Sequence, residues 1–464
     1  MKSLSSLAVV LLMVFSNVHA KQPIAGHQAE QAFNMWLSAF NGGKREDLQA
    51  FITRYQANYK AEDDMDFRES MGTFKLLKIQ TSTPVLVQAW IVSNASDNVF
   101  LAKMSLDPKD SSKVVKFEFD PSNVPEEYKP KRMEMAALLA EGKSRLQALD
   151  ASGKLSGTLL VAKGGNVLLE WSGGYANREN RVAIDKSTKF RLASLNKMFT
   201  AVAILQLVEA GKLSLDDTVA RHLQTYPNQT VAASITIRQL LNHTSGTGEI
   251  FTEEYAKQSA SIKTLTDYWR LFSAEPLKFK PGSEDKYSNY GYILLGSIIE
   301  AASGQSYYDY VDEHIFKVAG MVSTGSEPEA TLVPGRAAPY TKVDGQWKDD
   351  SASLPWRGTS AGGGYSTVGD LLNFANALAK GTVLSPKSYE AATSPQNNKA
   401  WYGYGFMVSG QGDRRQFGHE GGASGANAVF LVYPSKEYVV IGLSNFDPST
   451  MGNIANFFGR RLPL

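Results

Sequence analysis

The chain has 464 residues, long enough for two domains that each bury a core. Its 48 Lys and Arg nearly balance 46 Asp and Glu, leaving a formal charge of +2, and no basic block stands out; an electrostatic footprint for nucleic acid is therefore excluded. With no cysteine, disulfides and a lipid-modified cysteine are excluded too, so the mature fold rests on its cores alone.

Met1 to Ala20 sets Lys2 before an apolar run from Leu7 to Phe15 and then Val18-His19-Ala20. That order is a secretory signal cleaved after Ala20, which predicts an exported protein, periplasmic or secreted. The run is too short to span a bilayer, and no later segment is long and apolar enough to do so.

Phe33, Trp36, Leu37 and Phe40 recur at helical spacing, as do Leu48, Phe51, Ile52 and Tyr55 beyond the Asn41-Gly42-Gly43 break. The pattern then turns strand-like over Phe74–Gln80, Val85–Ser93, Val99–Leu106 and Val114–Phe119. Residues 21–120 thus read as an accessory domain of helices followed by a meander. From Asp120 to Arg132 three prolines among many charges oppose both sheet and helix, so 121–132 is the expected linker. The second domain, 133–464, begins with an amphipathic helix from Met135 to Leu149 and a hairpin, Gly157–Ala162 and Val167–Trp171. Helical pieces fill much of Leu213 to Leu354, and strands at Tyr404–Val408, Gln416–His419, Ala428–Tyr433 and Tyr438–Leu443 are expected to end the chain. The fold class is α+β in two domains.

Chemistry concentrates at the start of the helix that follows the hairpin. Met198, Ala201, Val202, Ile204, Leu205, Leu207 and Val208 leave it almost no polar face, as in a helix enclosed by other layers, and Gly211 closes it. Ser194 opens this helix and Lys197 lies one turn on, on the same face. A buried amine disfavours its ammonium form and is able to take a serine proton, while the helix N-terminus offers N–H groups to an oxyanion. Ser283 and Lys286 repeat the spacing, but after Pro281-Gly282 and with no apolar helix behind them they read as loop.

Two further pieces follow. Tyr287-Ser-Asn289 opens another apolar helix, Tyr290 to Ala302, and displays a phenol and a carboxamide; a phenolate beside a lysine ammonium would shuttle protons. Tyr175-Ala-Asn177 has the same spacing and reads as a strand-end turn. Phe417-Gly-His-Glu-Gly-Gly422 puts the His419 imidazole on a strand whose Gly421 and Gly422 let the backbone approach a bound acyl group. The Gly422 N–H would pair with that of Ser194 as an oxyanion hole.

Ser194-Leu-Asn-Lys197, Tyr287-Ser-Asn289 and His419-Glu-Gly421 resemble the three ordered motifs of the serine β-lactamase and penicillin-recognising peptidase superfamily, in its class C-like, esterase-containing branch. The resemblance runs from about Met133 to the C-terminus, with support from Leu240-Leu-Asn-His-Thr-Ser-Gly246, Leu213-Ser-Leu-Asp-Asp217 and Gly362-Gly-Gly-Tyr-Ser-Thr367. It implies an antiparallel sheet flanked by helices plus an all-helical lobe, with the site in the cleft. It also implies Ser194 as acylated nucleophile, Lys197 as its activating partner, Tyr287 as proton shuttle and Asn289 as the contact to the substrate amide. Many members carry lysine where this chain has His419, and that lysine is the usual partner of a substrate carboxylate. The expected substrate is therefore a small-molecule or peptide ester or amide, and β-lactam preference is in doubt. No cofactor or metal is implied. The first domain resembles the nuclear transport factor two-like domains that accompany some exported hydrolases.

Rival readings are weaker. Gly358-Thr-Ser-Ala-Gly362 spells a nucleophile elbow, but Ser353-Leu-Pro-Trp-Arg357 is no strand to lead into it. His243 reads as a helix-end or loop hydrogen-bonder. No His-x-His-x-Asp or His-Glu-x-x-His pattern provides zinc ligands. The alternative of another class is a non-catalytic binding protein for cell-wall peptide or a partner, on the same fold.

Overall fold

The computed structural model describes residues 27–121, 123–343 and 345–463, so the secretory-signal reading of 1–20 lies outside the described residues. The chain forms two compact units that divide between Lys129 and Pro130, within the proline-rich stretch.

In the first unit, α1 (Gln28–Gly42), α2 (Arg45–Arg54) and α3 (Ala61–Met71) precede an antiparallel sheet of β1 (Phe74–Ser82), β2 (Leu86–Ser93), β3 (Val99–Asp107) and β4 (Asp110–Asp120) in sequential order. The helical period buries Ala29, Ala32, Phe33, Trp36 and Phe40 on one face of α1. Rings fill the interior; Trp36 lies 4.9 Å from Phe40 and 4.7 Å from Phe117. Sequence patterning misses α3, whose acidic first turn of Glu62, Asp63 and Asp64 hides any apolar stripe. Asp64 is buried there, accepts the Trp36 indole N–H at 3.1 Å, and is pushed by that burial up to a pKa of about 6. On the sheet's other face Val124 and Tyr128 join Trp90, Val99 and Leu101 in a small cluster. The start of the expected linker is thus packed chain.

In the second unit a six-stranded antiparallel sheet runs β7-β8-β9-β10-β5-β6, made of β5 (Gly157–Lys163), β6 (Asn166–Gly173), β7 (Met407–Ser409), β8 (Gln416–Ala423), β9 (Ala426–Tyr433) and β10 (Tyr438–Ser444). The early hairpin therefore completes a sheet begun by the last strands. Alternate residues split between two cores: Leu159, Val161, Val429 and Leu431 face one way, and Leu160, Ala162, Ala428 and Phe430 the other. With both faces covered, the strands read as continuous apolar runs.

Helices α4 (Met135–Ala151) and α7 (Thr450–Arg461) cover the first face through Leu138, Leu146, Met451, Ile454 and Phe458. The sequence reading ends the chain in strands, and α7 corrects it. Its Gly452, Asn453, Asn456 and Gly459 are poor helix formers, and packing on the sheet overrides them. The second face carries the helix Val368–Ala379, whose Phe374 ring lies 6.0 Å from that of Phe430; α5 (Asn196–Glu209) lies in the same core, with Phe199 4.9 Å from Phe374, and packs against α6 (Asn289–Ser303) of a lobe of short helices. Among the described residues no helix is long and apolar enough to cross a membrane.

Candidate active site

Ser194 sits in a tight turn, Ala193–Leu195, that leads directly into α5. Ala193 before it has φ +46°, a conformation that costs an L-residue energy and persists only where neighbours impose it. Two supports do so. Gly364 O accepts the Leu192 N–H at 3.1 Å and the Gly363 N–H reaches Ala193 O at 3.0 Å, while from the other side β8 passes so close that a Cβ on Gly421 would stand 2.3 Å from Leu192 O and 3.1 Å from Ser194 N. Only glycine permits that approach.

One turn along α5, Lys197 is fully buried, with Nζ 3.2 Å from Ser194 Oγ and 2.6 Å from Asn289 Oδ1, and bonded to the Ala361 carbonyl. Burial lowers its pKa to about 7, against the opposing pull of the Glu249 carboxylate. As a neutral amine it keeps two N–H donors for Asn289 and Ala361 and turns its lone pair on the serine hydroxyl.

Asn289, the first residue of α6, is held in turn: its Nδ2 donates to Glu249 at 2.9 Å and its backbone N–H to the same carboxylate at 3.2 Å. Tyr287 precedes it, with its ring centroid 4.7 Å from Lys197 Nζ. Burial raises the Tyr287 pKa above the tyrosine range, and a hydrogen bond with Ser194 only partly offsets this. The phenol is therefore protonated near neutral pH, a correction to the phenolate expected from the sequence.

His419 lies on β8 with no exposed surface to speak of. Its Nε2 pairs with the Tyr402 hydroxyl at 2.9 Å and its Nδ1 with the Glu420 carbonyl at 2.7 Å. Burial, with Lys197 adding to it, drives its pKa down to about 3. β7 pairs with β8 only as far as Gly418, so from His419 to Ala423 that edge of the sheet is left open beside the Ser194 turn. Gly421 makes the contact; Gly422 follows it, exposed.

Comparison with known proteins fits this arrangement. The beta-lactamase family model matches residues 143–462. The chain belongs to the beta-lactamase family. Penicillin-binding protein 4* of Bacillus subtilis (strain 168) is 33% identical over 325 residues, 66% of this chain and 71% of that protein. A penicillin-binding protein from Bacillus halodurans superposes at TM-score 0.62 with 34% identity, covering 67% of this chain and 96% of its own. D-amino acid amidase from Ochrobactrum anthropi SV3, complexed with D-phenylalanine, shares the fold at TM-score 0.59 and 23% identity, over 69% of this chain and 98% of the amidase.

Within this beta-lactamase-family unit the structure brings Ser194, Lys197, Tyr287 and Asn289 together and sets His419, Gly421 and Gly422 along the strand beside them. The second Ser-x-x-Lys match lies in a loop with both side chains exposed, and the Ser283 hydroxyl donates to Lys280 O. Ser360 of the apparent elbow is buried, with no helix leaving it. Sequence reasoning missed Glu249, which fixes Asn289, and Tyr402, which takes His419. It also missed Ala361, whose carbonyl anchors Lys197. The Thr-Gly-Glu that follows the His-Thr-Ser-Gly turn was a visible signal for Glu249, since a polar run there continues a stretch already matched to the family.

Proposed function

We propose that this chain is an exported serine hydrolase that cleaves an ester or amide through an acyl-Ser194 intermediate. The observation that carries the reading is a wholly buried amine set 3.2 Å from Ser194 Oγ, where burial lowers its pKa to about 7. Neutral Lys197 takes the hydroxyl proton as the oxygen attacks the carbonyl. The Ser194 and Gly422 N–H groups receive the oxyanion. Tyr287, protonated and set beside Lys197, gives its proton to the leaving group, and Asn289 offers its remaining N–H to the substrate amide. Water then releases the acyl group by the same route in reverse. Export rests on the N-terminal signal pattern, and the first unit is read as a nuclear transport factor two-like accessory domain.

The charge around the site supports substrates without a carboxylate next to the scissile bond. His419 is neutral at any working pH and both its nitrogens are engaged. Lowering the pH to 6 will not charge it, contrary to what an exposed histidine would do. Arg415, at the start of the strand, is turned to Glu390 and Thr393, and Glu249 adds an exposed negative charge beside Asn289. Lacking a charge-assisted partner weakens carboxylate capture by roughly 1.5–3 kcal/mol. kcat/KM for p-nitrophenyl acetate should therefore exceed that for nitrocefin by about tenfold or more. A clearly higher value for nitrocefin would contradict the preference.

A further inference from the structure

His243 follows the short helix Ile237–Leu241, and its backbone adopts φ +62°. Its side chain has no exposed surface. The residue grips Tyr287 at three points. The His243 carbonyl accepts the Lys286 N–H at 3.0 Å, and its Nδ1 accepts the Ser288 N–H at 3.2 Å, so the peptide is pinned on both sides of the tyrosine. The imidazole also lies against the Tyr287 phenol, ring centroids 4.3 Å apart and planes 35° from parallel. Behind it Tyr402 and Tyr292 pack at 4.4 and 5.2 Å, and Trp401 lies parallel at 5.9 Å, so the ring has nowhere to rotate.

Two costs fall on this one residue. A positive φ is uncommon outside glycine, though histidine tolerates it better than most. Because Nδ1 accepts a hydrogen bond, the neutral ring carries its proton on Nε2, and Nε2 is buried with no hydrogen-bond partner. A residue selected for stability alone would show neither, whereas strain and an unsatisfied donor beside reacting groups are the mark of a constraint on position.

We propose that His243 is a positioning residue that aims the Tyr287 hydroxyl at Ser194, by clamping the tyrosine's peptide on both sides and bracing its ring. The inference rests on the reading of Tyr287 as proton donor to the leaving group. The clamp requires an unprotonated Nδ1. Burial above all holds the imidazole well below its usual pKa, and a proton on Lys197 or His419 would push it lower still, so the acceptor persists across the working range.

Variants separate this role from plain packing. His243→Phe keeps a flat ring and loses the acceptor; His243→Asn keeps an acceptor near the Nδ1 position, tolerates positive φ, and loses most of the ring. Each is compared with Tyr287→Phe and the double variants on two acetate esters, of p-nitrophenol and of benzyl alcohol. The benzyl alkoxide needs a proton to leave and the nitrophenolate does not. Both esters give the same acetyl-Ser194, so kcat/KM, which reports acylation, is the readout: His243→Phe is expected to lower it on the benzyl ester at least tenfold, with a smaller loss on the nitrophenyl ester. His243→Asn should regain much of that kcat/KM, and neither should worsen Tyr287→Phe further, because groups on one proton path are not additive. Equal losses on both esters, or losses that multiply in the double variant, would overturn the proposal. If His243→Phe does not fold, His243→Gly, which suits the positive φ and lacks both the acceptor and the ring, takes its place in the same cycle. Full kcat/KM on the benzyl ester in Tyr287→Phe would remove the proton-donor reading together with this one; full kcat/KM in His243→Phe beside a crippled Tyr287→Phe would remove this one alone.

Discussion

Lys197 titrates near pH 7 because it is buried, so its ammonium is the costly form and its amine the working one. If the amine takes the serine proton, kcat/KM on a neutral ester should rise about tenfold per pH unit below 7 and level off above it. A flat profile between pH 5 and 9 would assign the base elsewhere. Stability follows from the same displacement. The folded pKa lies below the unfolded value of about 10.4, so between the two the unfolded chain binds the extra proton and wild-type stability gains with rising pH, by up to about 1.4 kcal/mol per unit. Lys197→Met has no such term. Relative to wild type it should be most stable below pH 7, and its advantage should shrink toward pH 10, as read from urea midpoints at pH 6 and 9. At this scale the sequence shows Ser194 and Lys197, because one helical turn fixes their spacing. It marks the His243 to Glu249 stretch but does not show what either end holds, because the hydrogen bonds to Asn289 and Ser288 run across 40 and 45 residues of chain.

Among the elements, β8 governs the site because its open edge lies against the Ser194 turn. Gly421→Ala would force a Cβ to within 2.3 Å of a carbonyl oxygen, so the strand or the turn must shift. The expected outcome is a loss of about 1–3 kcal/mol in stability and at least tenfold in kcat/KM. Gly422→Ala meets only the edge of Pro448 at 2.9 Å and keeps its N–H, so it should retain most activity. Equal losses in the two would detach the site from this close approach. The apolar strands, the early hairpin and α5 are legible in sequence, since burial on both faces or all round leaves unbroken apolar runs. β8 is only half legible: Gln416–His419 shows the pattern, and the glycines that make its remainder useful also erase its signal. Helices α3 and α7 are hidden for a related reason, one by acidic residues and the other by Gly and Asn.

For the molecule as a whole, the division into two units is legible because three prolines interrupt both periodicities between Asp120 and Arg132. The function of the first unit is not, since its interior is closed by aromatic packing and the buried Asp64 carboxylate bonds an indole. That carboxylate gives a test of the unit by itself. The Asp64 pKa of about 6 lies above its unfolded value near 4, so the native state retains a proton that the unfolded chain releases, and stability falls as pH rises through that window. Asp64→Asn keeps an acceptor for Trp36 and should raise the Tm at pH 7, with little difference at pH 4; an unchanged or lower Tm at pH 7 would contradict this. The matched family region begins at residue 143, beyond the division. Residues 130–464 expressed alone should therefore hydrolyse p-nitrophenyl acetate within a few-fold of the full chain, and a folded but inert fragment would show that the first unit contributes to the chemistry.

The central claim, that Ser194 is acylated with Lys197 as its base, is tested most directly by covalent labelling of the purified protein with a fluorophosphonate, followed by peptide mass spectrometry. The account predicts one adduct, on the peptide that contains Ser194, formed faster at pH 8 than at pH 6 and absent from Ser194→Ala. An adduct that persists in Ser194→Ala, or a wild-type protein that takes no label at either pH, would contradict it.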